Sequence, residues 1–102
     1  MKEYNYSIEK WKKAIDLNSN YFIAYENLAN AFLKLKKYQD ALEYFNKAIK
    51  INPEAFQIYN NIGNTLTKLN KFKEAIDFYD KAINIKPDNI YGHIFKGHAL
   101  TE

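Results

Sequence analysis

The side chains here with the clearest capacity for recognition are carboxamides. Asn27 and Asn30 form one spaced pair, Asn61 and Asn64 a second, and Gln57 stands just before the second. A carboxamide carries a carbonyl acceptor and an NH2 donor, so it can match both polar groups of a peptide unit. Groups suited to catalysis are sparse. The two histidines, His93 and His98, diverge by about 140° on a helix of 3.6 residues per turn and do not make the i, i+4 pair of a helical zinc site. The chain has no cysteine, which removes disulfides, thiolate metal sites and a cysteine nucleophile. Its three glycines, Gly63, Gly92 and Gly97, build no phosphate loop. Asp77 and Asp80 stand beside Lys73 and Lys81, and exposed ion pairs are expected of them rather than acid–base work. The chain is therefore read as a non-enzyme, with no cofactor or metal expected.

Charge narrows the classes of partner. The net charge is +3, and every basic residue is lysine. Arginine supplies the planar fork that reads phosphate and guanine edges, so its absence argues against a nucleic-acid reader. Lys34, Lys36, Lys37, Lys68, Lys71 and Lys73 gather near expected helix ends and turns, where they complement the helix dipole. No apolar run approaches the roughly 18 residues of a membrane span. The opening MKEYNYSIEK lacks the apolar centre of a secretory leader. An intracellular, cytoplasmic setting without membrane contact is the expectation. A hydrophobic content of 47% in 102 residues is that of one folded domain.

These residues are carried by a repeat. A shift of 34 positions lays Phe22, Tyr25, Asn27, Leu35, Ala41, Ala48 and Pro53 on Phe56, Tyr59, Asn61, Leu69, Ala75, Ala82 and Pro87. A fixed period of this length without gaps marks stacked supersecondary units. Within residues 56–69, Tyr59, Ile62, Gly63 and Leu66 recur at steps of three and four, one face of a helix. Residues 72–85 do the same with Phe72, Ala75, Ile76, Tyr79, Ala82 and Ile83. Asn70–Lys71 turns the chain between them, and Pro87 follows where the second helix cannot continue. Gly63, Ala75 and Ala82 are small where two helices must cross closely. The preceding period repeats this hairpin over 20–35 and 38–51.

The run Tyr59, Ile62, Gly63, Leu66, Phe72, Ala75, Tyr79, Ala82, Pro87, preceded by Tyr25, Leu28, Ala29, Phe32, Tyr38, Ala41, Phe45, Ala48, Pro53, resembles the tetratricopeptide repeat. The resemblance implies an all-α fold: a right-handed superhelical array of antiparallel helix hairpins, about six helices here. Its units are residues 1–21 (the second helix of a partial repeat), 22–55 and 56–89 (two full repeats), and 90–102 (the first helix of another). In the opening helix Ser7 and Ser19 stand where alanine and proline are usual, and in the closing one His93 replaces an aromatic or aliphatic residue. Asp88 or Asn89 is expected to cap that last helix, which Gly92 weakens by about 1 kcal/mol. Neither end carries a polar capping helix, so a piece of a longer array is expected, with self-association through the end helices as the alternative.

The resemblance further implies a concave wall lined by first helices, and protein or peptide as the partner. On that wall fall Asn27, Asn30, Gln57, Asn61, Asn64, Tyr91, Phe95 and His98, together with Ile23, Glu26, Asn60 and Ile94. Asn27 and Asn61 are similar to an asparagine ladder that grips peptide backbone in some members; bridging of adjacent repeats is the structural alternative. The carboxylate clamp of chaperone-binding members maps onto Glu26, Asn30, Asn61, Tyr91 and Phe95. Both asparagines are present, but every cation is replaced, and Glu26 would repel a carboxylate. A groove grading from amide to aromatic is expected instead, with a structural scaffold as the alternative role.

Overall fold

The computed structural model describes residues 2–101. Six helices account for nearly all of them: α1 (Lys2–Leu17), α2 (Phe22–Lys34), α3 (Tyr38–Ile51), α4 (Phe56–Lys68), α5 (Phe72–Ile85) and α6 (Ile90–Thr101). No strand occurs among the described residues. Helices α3 and α5 have the expected bounds, whereas α2 starts at Phe22 rather than at residue 20. Helices α2 and α4 each stop one residue short of the expectation. Their last turns close early because Lys36 and Asn70 adopt positive φ, 61° and 62°. The amides of Lys37 and Lys71 then reach back to the carbonyls of Phe32 and Leu66, both at 2.9 Å. Those of Lys36 and Asn70 bond Leu33 and Thr67, which completes a Schellman closure twice over.

The helices form two compact units that divide between Asn52 and Pro53. In the first, α2 packs on both α1 and α3. Its core is Ile8 from α1, Ala24, Leu28, Ala29 and Phe32 from α2, and Ala41, Phe45 and Ala48 from α3. Full burial of a side chain such as Phe45 stabilises by about 1.5–3 kcal/mol. In the second unit α5 packs on both α4 and α6, and α4 also meets α6. Ile62, Leu66, Ala75, Tyr79, Ala82 and Ala99 fill that core. Alanine or glycine recurs at the crossings, and each lets a large neighbour lie against backbone.

One contact recurs three times at the period of the sequence. The Tyr25 hydroxyl donates to the carbonyl of Ser19 at 2.8 Å, and the Tyr59 hydroxyl to that of Pro53 at 3.0 Å. His93 Nε2 lies 3.0 Å from the carbonyl of Pro87 and donates to it when it carries the proton. The histidine that departs from the repeat pattern thus makes the same bond, pinning the start of α6 to the turn before it. Helix α6 leaves Ile90, Ile94 and Leu100 exposed, as its sequence implies. Phe95 does not share that exposure. It is half-buried, its ring 5.8 Å from that of Tyr79.

Candidate functional site

In the second unit, α4 and α6 enclose a groove of about 210 Å³ whose walls include Phe56, Gln57, Asn61, Tyr91 and Phe95. Gln57 and Asn61 are four residues apart on α4, and Tyr91 and Phe95 four apart on α6. Such pairs share one helix face, so a stripe of amides confronts a stripe of rings. The two rings stack, with centroids 5.9 Å apart and an angle of 22°. Among the described residues no hydrogen bond reaches the carboxamide of Gln57 or Asn61. Phe56 was not singled out in the sequence; its place at the first position of α4, one residue before Gln57, was the available signal.

The neighbouring amides are committed inside the protein. Asn60, expected on the open face, is only 6% exposed. Its Nδ2 donates to Asn89 Oδ1 at 3.3 Å, and the same oxygen accepts the Gly92 amide at 3.1 Å. Asn89 is therefore the cap of α6 and the tie between α4 and α6 at once. Asn60 Oδ1 and Asn89 Nδ2 face this junction without a partner. A methyl group on Gly92 would lie 2.7 Å from Asn89 Nδ2 and 3.3 Å from Asn60 Oδ1. Glycine costs helix stability at that position but permits the close approach of α6.

Asn64 lines the groove, yet its Oδ1 accepts the Tyr79 hydroxyl at 2.6 Å. Thr67 Oγ1 lies 3.2 Å from the same hydroxyl. Burial pushes the Tyr79 phenol above its usual value of 10.0, and the Thr67 hydrogen bond partly opposes this. Half of the Asn64 carboxamide is thus spent on fixing the ring that fills the core.

Asn27 and Asn30 lie in a different groove. With Tyr4, Ser7 and Trp11 of α1 they line about 220 Å³ between α1 and α2 in the first unit. Among the described residues their carboxamides also accept and donate no hydrogen bond. His98 is exposed on α6 and is not part of either lining. A wider groove of about 660 Å³, unforeseen in the sequence, opens between α5 and α6 beside Phe72, Ile76 and Leu100.

One acidic residue of α5 also finds a different neighbour. Asp80 pairs with Lys96 at 2.7 Å, because α6 lays that lysine across α5. Lys81 instead stands over the Phe78 ring, 4.6 Å from its centroid. Among the described residues no group of three or more His, Cys, Asp or Glu is placed to hold a metal ion. No helix among them is long and apolar enough to cross a membrane.

The tetratricopeptide repeat family model matches residues 22–55 and again 56–89, and a second model of the same repeat matches 1–36. No curated protein matches. Among solved structures, the first tetratricopeptide domain of Spaghetti (RPAP3), bound to the HSP90 peptide SRMEEVD, superposes with a TM-score of 0.92 at 23% identity. That likeness covers 97% of this chain and 79% of the other. The OM64 tetratricopeptide domain of Arabidopsis gives 0.91 at 27% identity, over 99% and 84% of the two chains. MamA gives 0.88 at 29% identity; 92% of this chain is covered but only 55% of MamA. The matched models, the six-helix array and the period of the hairpins agree: the chain belongs to the tetratricopeptide repeat family.

Proposed function

We propose that the chain is a protein-interaction module that takes an extended peptide or partner segment into the groove between α4 and α6. One observation carries this reading. Gln57 and Asn61, with amides engaged by nothing else among the described residues, face the stacked rings of Tyr91 and Phe95. The amides can pair with the C=O and N–H of an extended backbone, while the rings offer a platform for an apolar or aromatic side chain. Membership of a family of repeat scaffolds that present extended binding surfaces supports the same reading.

The ligand chemistry should differ from that of the structural neighbour. The peptide bound to Spaghetti, SRMEEVD, carries three acidic side chains. The α4–α6 groove has no cation in its lining, so a neutral segment with an apolar anchor fits it better. Asn64 supports the groove by holding Tyr79, and Asn27 and Asn30 belong to the other unit's groove.

Selection from a random peptide library on the wild-type chain tests this, with Asn61→Ala and Tyr91→Ala run in parallel. Enriched peptides should share an apolar residue flanked by uncharged positions. Asn61→Ala should weaken them about three- to tenfold, the worth of a single hydrogen bond, with helicity unchanged. Failure to enrich, or enrichment indifferent to both substitutions, would overturn the assignment.

A further inference from the structure

The lysines at the turns inside the two hairpins stand mostly where helix formation disfavours them. The α2–α3 turn carries Lys34, Lys36 and Lys37, and the α4–α5 turn carries Lys68, Lys71 and Lys73. Only Lys34 and Lys68 lie in the last turn of a helix, where a cation complements the dipole. Lys37 and Lys71 are the N-cap residues of α3 and α5, and neither makes a side-chain cap. Serine, threonine, aspartate or asparagine would hold the free amides there, whereas an ammonium faces the positive end of the dipole. Lys73, the second residue of α5, faces the same end. Lys36 adopts a φ of 61°, a conformation that suits glycine or asparagine at the close of a helix. Asn70 takes that place in the other hairpin. Lys36, Lys37, Lys71 and Lys73 therefore work against local stability.

Nothing inside the protein uses their charge. All the lysines of both turns are exposed. Among the described residues their side chains make no ion pair, hydrogen bond or ring contact. One acid follows in the first turn of each second helix, Asp40 and Glu74, which leaves both turns with an excess of positive charge. Other turns are built differently. Residues 18–21, between α1 and α2, hold no charged side chain, and Lys86 before α6 is matched by Asp88 at 3.7 Å. The α2–α3 turn has helices before and after it in the chain, so its exposure owes nothing to the chain's ends.

We propose that each of these two turns docks an acidic segment of a partner protein. Lysine offers a mobile point charge suited to carboxylates, and the missing arginine is the residue that favours planar, bidentate phosphate recognition. A lipid surface fits less well. None of the large apolar side chains that the chain exposes lies within either turn, and stable membrane attachment needs an apolar anchor beside a basic patch. The surface shares no residue with the groove of Gln57, Asn61, Tyr91 and Phe95, and the two assignments stand or fall separately.

Fluorescence anisotropy of a labelled peptide of alternating glutamate and serine tests the proposal, since that spacing puts every carboxylate on one face of an extended chain. The 102-residue chain should bind it, and more weakly as salt rises. Lys36→Gln/Lys37→Gln/Lys71→Gln/Lys73→Gln should weaken binding about tenfold or more, the joint worth of several exposed pairs. Lys10→Gln/Lys13→Gln/Lys50→Gln/Lys81→Gln, which removes the same charge from exposed positions elsewhere, should leave it nearly unchanged. Lys37→Ser/Lys71→Ser should weaken binding and yet raise the melting temperature, because it supplies the two absent caps. A wild-type chain indifferent to the peptide would overturn the proposal, as would equal losses in the two quadruple variants. A serine variant that melts below the wild type would show that the lysines serve the fold and overturn it too. Vesicles of phosphatidylserine and phosphatidylcholine that bind more tightly than the peptide, through the same lysines, would replace the acidic segment with a lipid surface.

Discussion

The hairpins α2–α3 and α4–α5 share one pattern and solve the same crossing differently. In the first, Ala29 and Phe45, both fully buried, hold the registers of Gly63 and Tyr79. Leu33 holds that of Thr67, while Asn30 keeps that of Asn64; Phe45 has no hydroxyl for it to bind. In the second, alanine becomes Gly63 and phenylalanine becomes Tyr79, whose hydroxyl is held by Asn64 and Thr67. A ring anchored at its tip cannot slide away from the helix it lies on. Glycine beneath it is the consequence, since a ring fixed by hydrogen bonds needs room that a free phenylalanine can find by shifting. The starts of α2 and α4 are alike, and the polar addition in the second unit comes at α6. Tyr21 and Ala55 make no side-chain cap for α2 and α4, whereas Asn89 caps α6 and binds Asn60. The second unit therefore rests more on polar bonds at fixed points, and the first more on apolar contact.

The largest effect is expected at Asn89. Asn89→Ala removes a cap worth about 1 kcal/mol and strands the buried Asn60 carboxamide, at a further cost of about 1–3 kcal/mol. Chemical denaturation should show a loss of this size, and amide exchange should place it in α6. A loss below about 0.5 kcal/mol would mean that the asparagine pair is incidental.

Gly63→Ala comes next. Overpacking against the Tyr79 ring should cost about 1–3 kcal/mol, offset in part by the roughly 1 kcal/mol that alanine gains over glycine in a helix. The test is to combine it with Tyr79→Phe: a ring released from Asn64 and Thr67 should settle over alanine, the pairing of residue types that Phe45 and Ala29 hold at the same registers. The double variant should then melt higher than Gly63→Ala alone. If it melts lower, the anchored ring does not explain the glycine.

The smallest effect belongs to Tyr79→Phe by itself, about 0.5–1.5 kcal/mol at neutral pH. Its pH dependence is the more telling readout. The folded phenol titrates above 10.0 because burial disfavours its charged form. Its contribution is therefore fully present below the unfolded value and is lost as pH rises through the folded one. Wild-type stability should fall more steeply than that of the phenylalanine variant in alkaline solution, and parallel curves would contradict a buried, titrating hydroxyl.

The order of the amino acids alone carries the period, the six helices and most of their bounds, and the small residues at the crossings. Each of these follows from local repetition: a face recurring every three or four residues and a turn recurring every 34. It also determined that amides and rings would stand on first helices. Which of the groove amides stay free is set by packing. Asn60 and Asn61 are adjacent and chemically identical, yet α6 claims one through Asn89 and leaves the other at the groove. Asn64 was drawn inward by a hydroxyl 15 residues away, and Asp80 by a lysine on α6. A helical pattern gives each side chain a direction about its own axis. Its hydrogen-bond partner is set by whatever second helix crosses at that height, and that is fixed only when the helices pack.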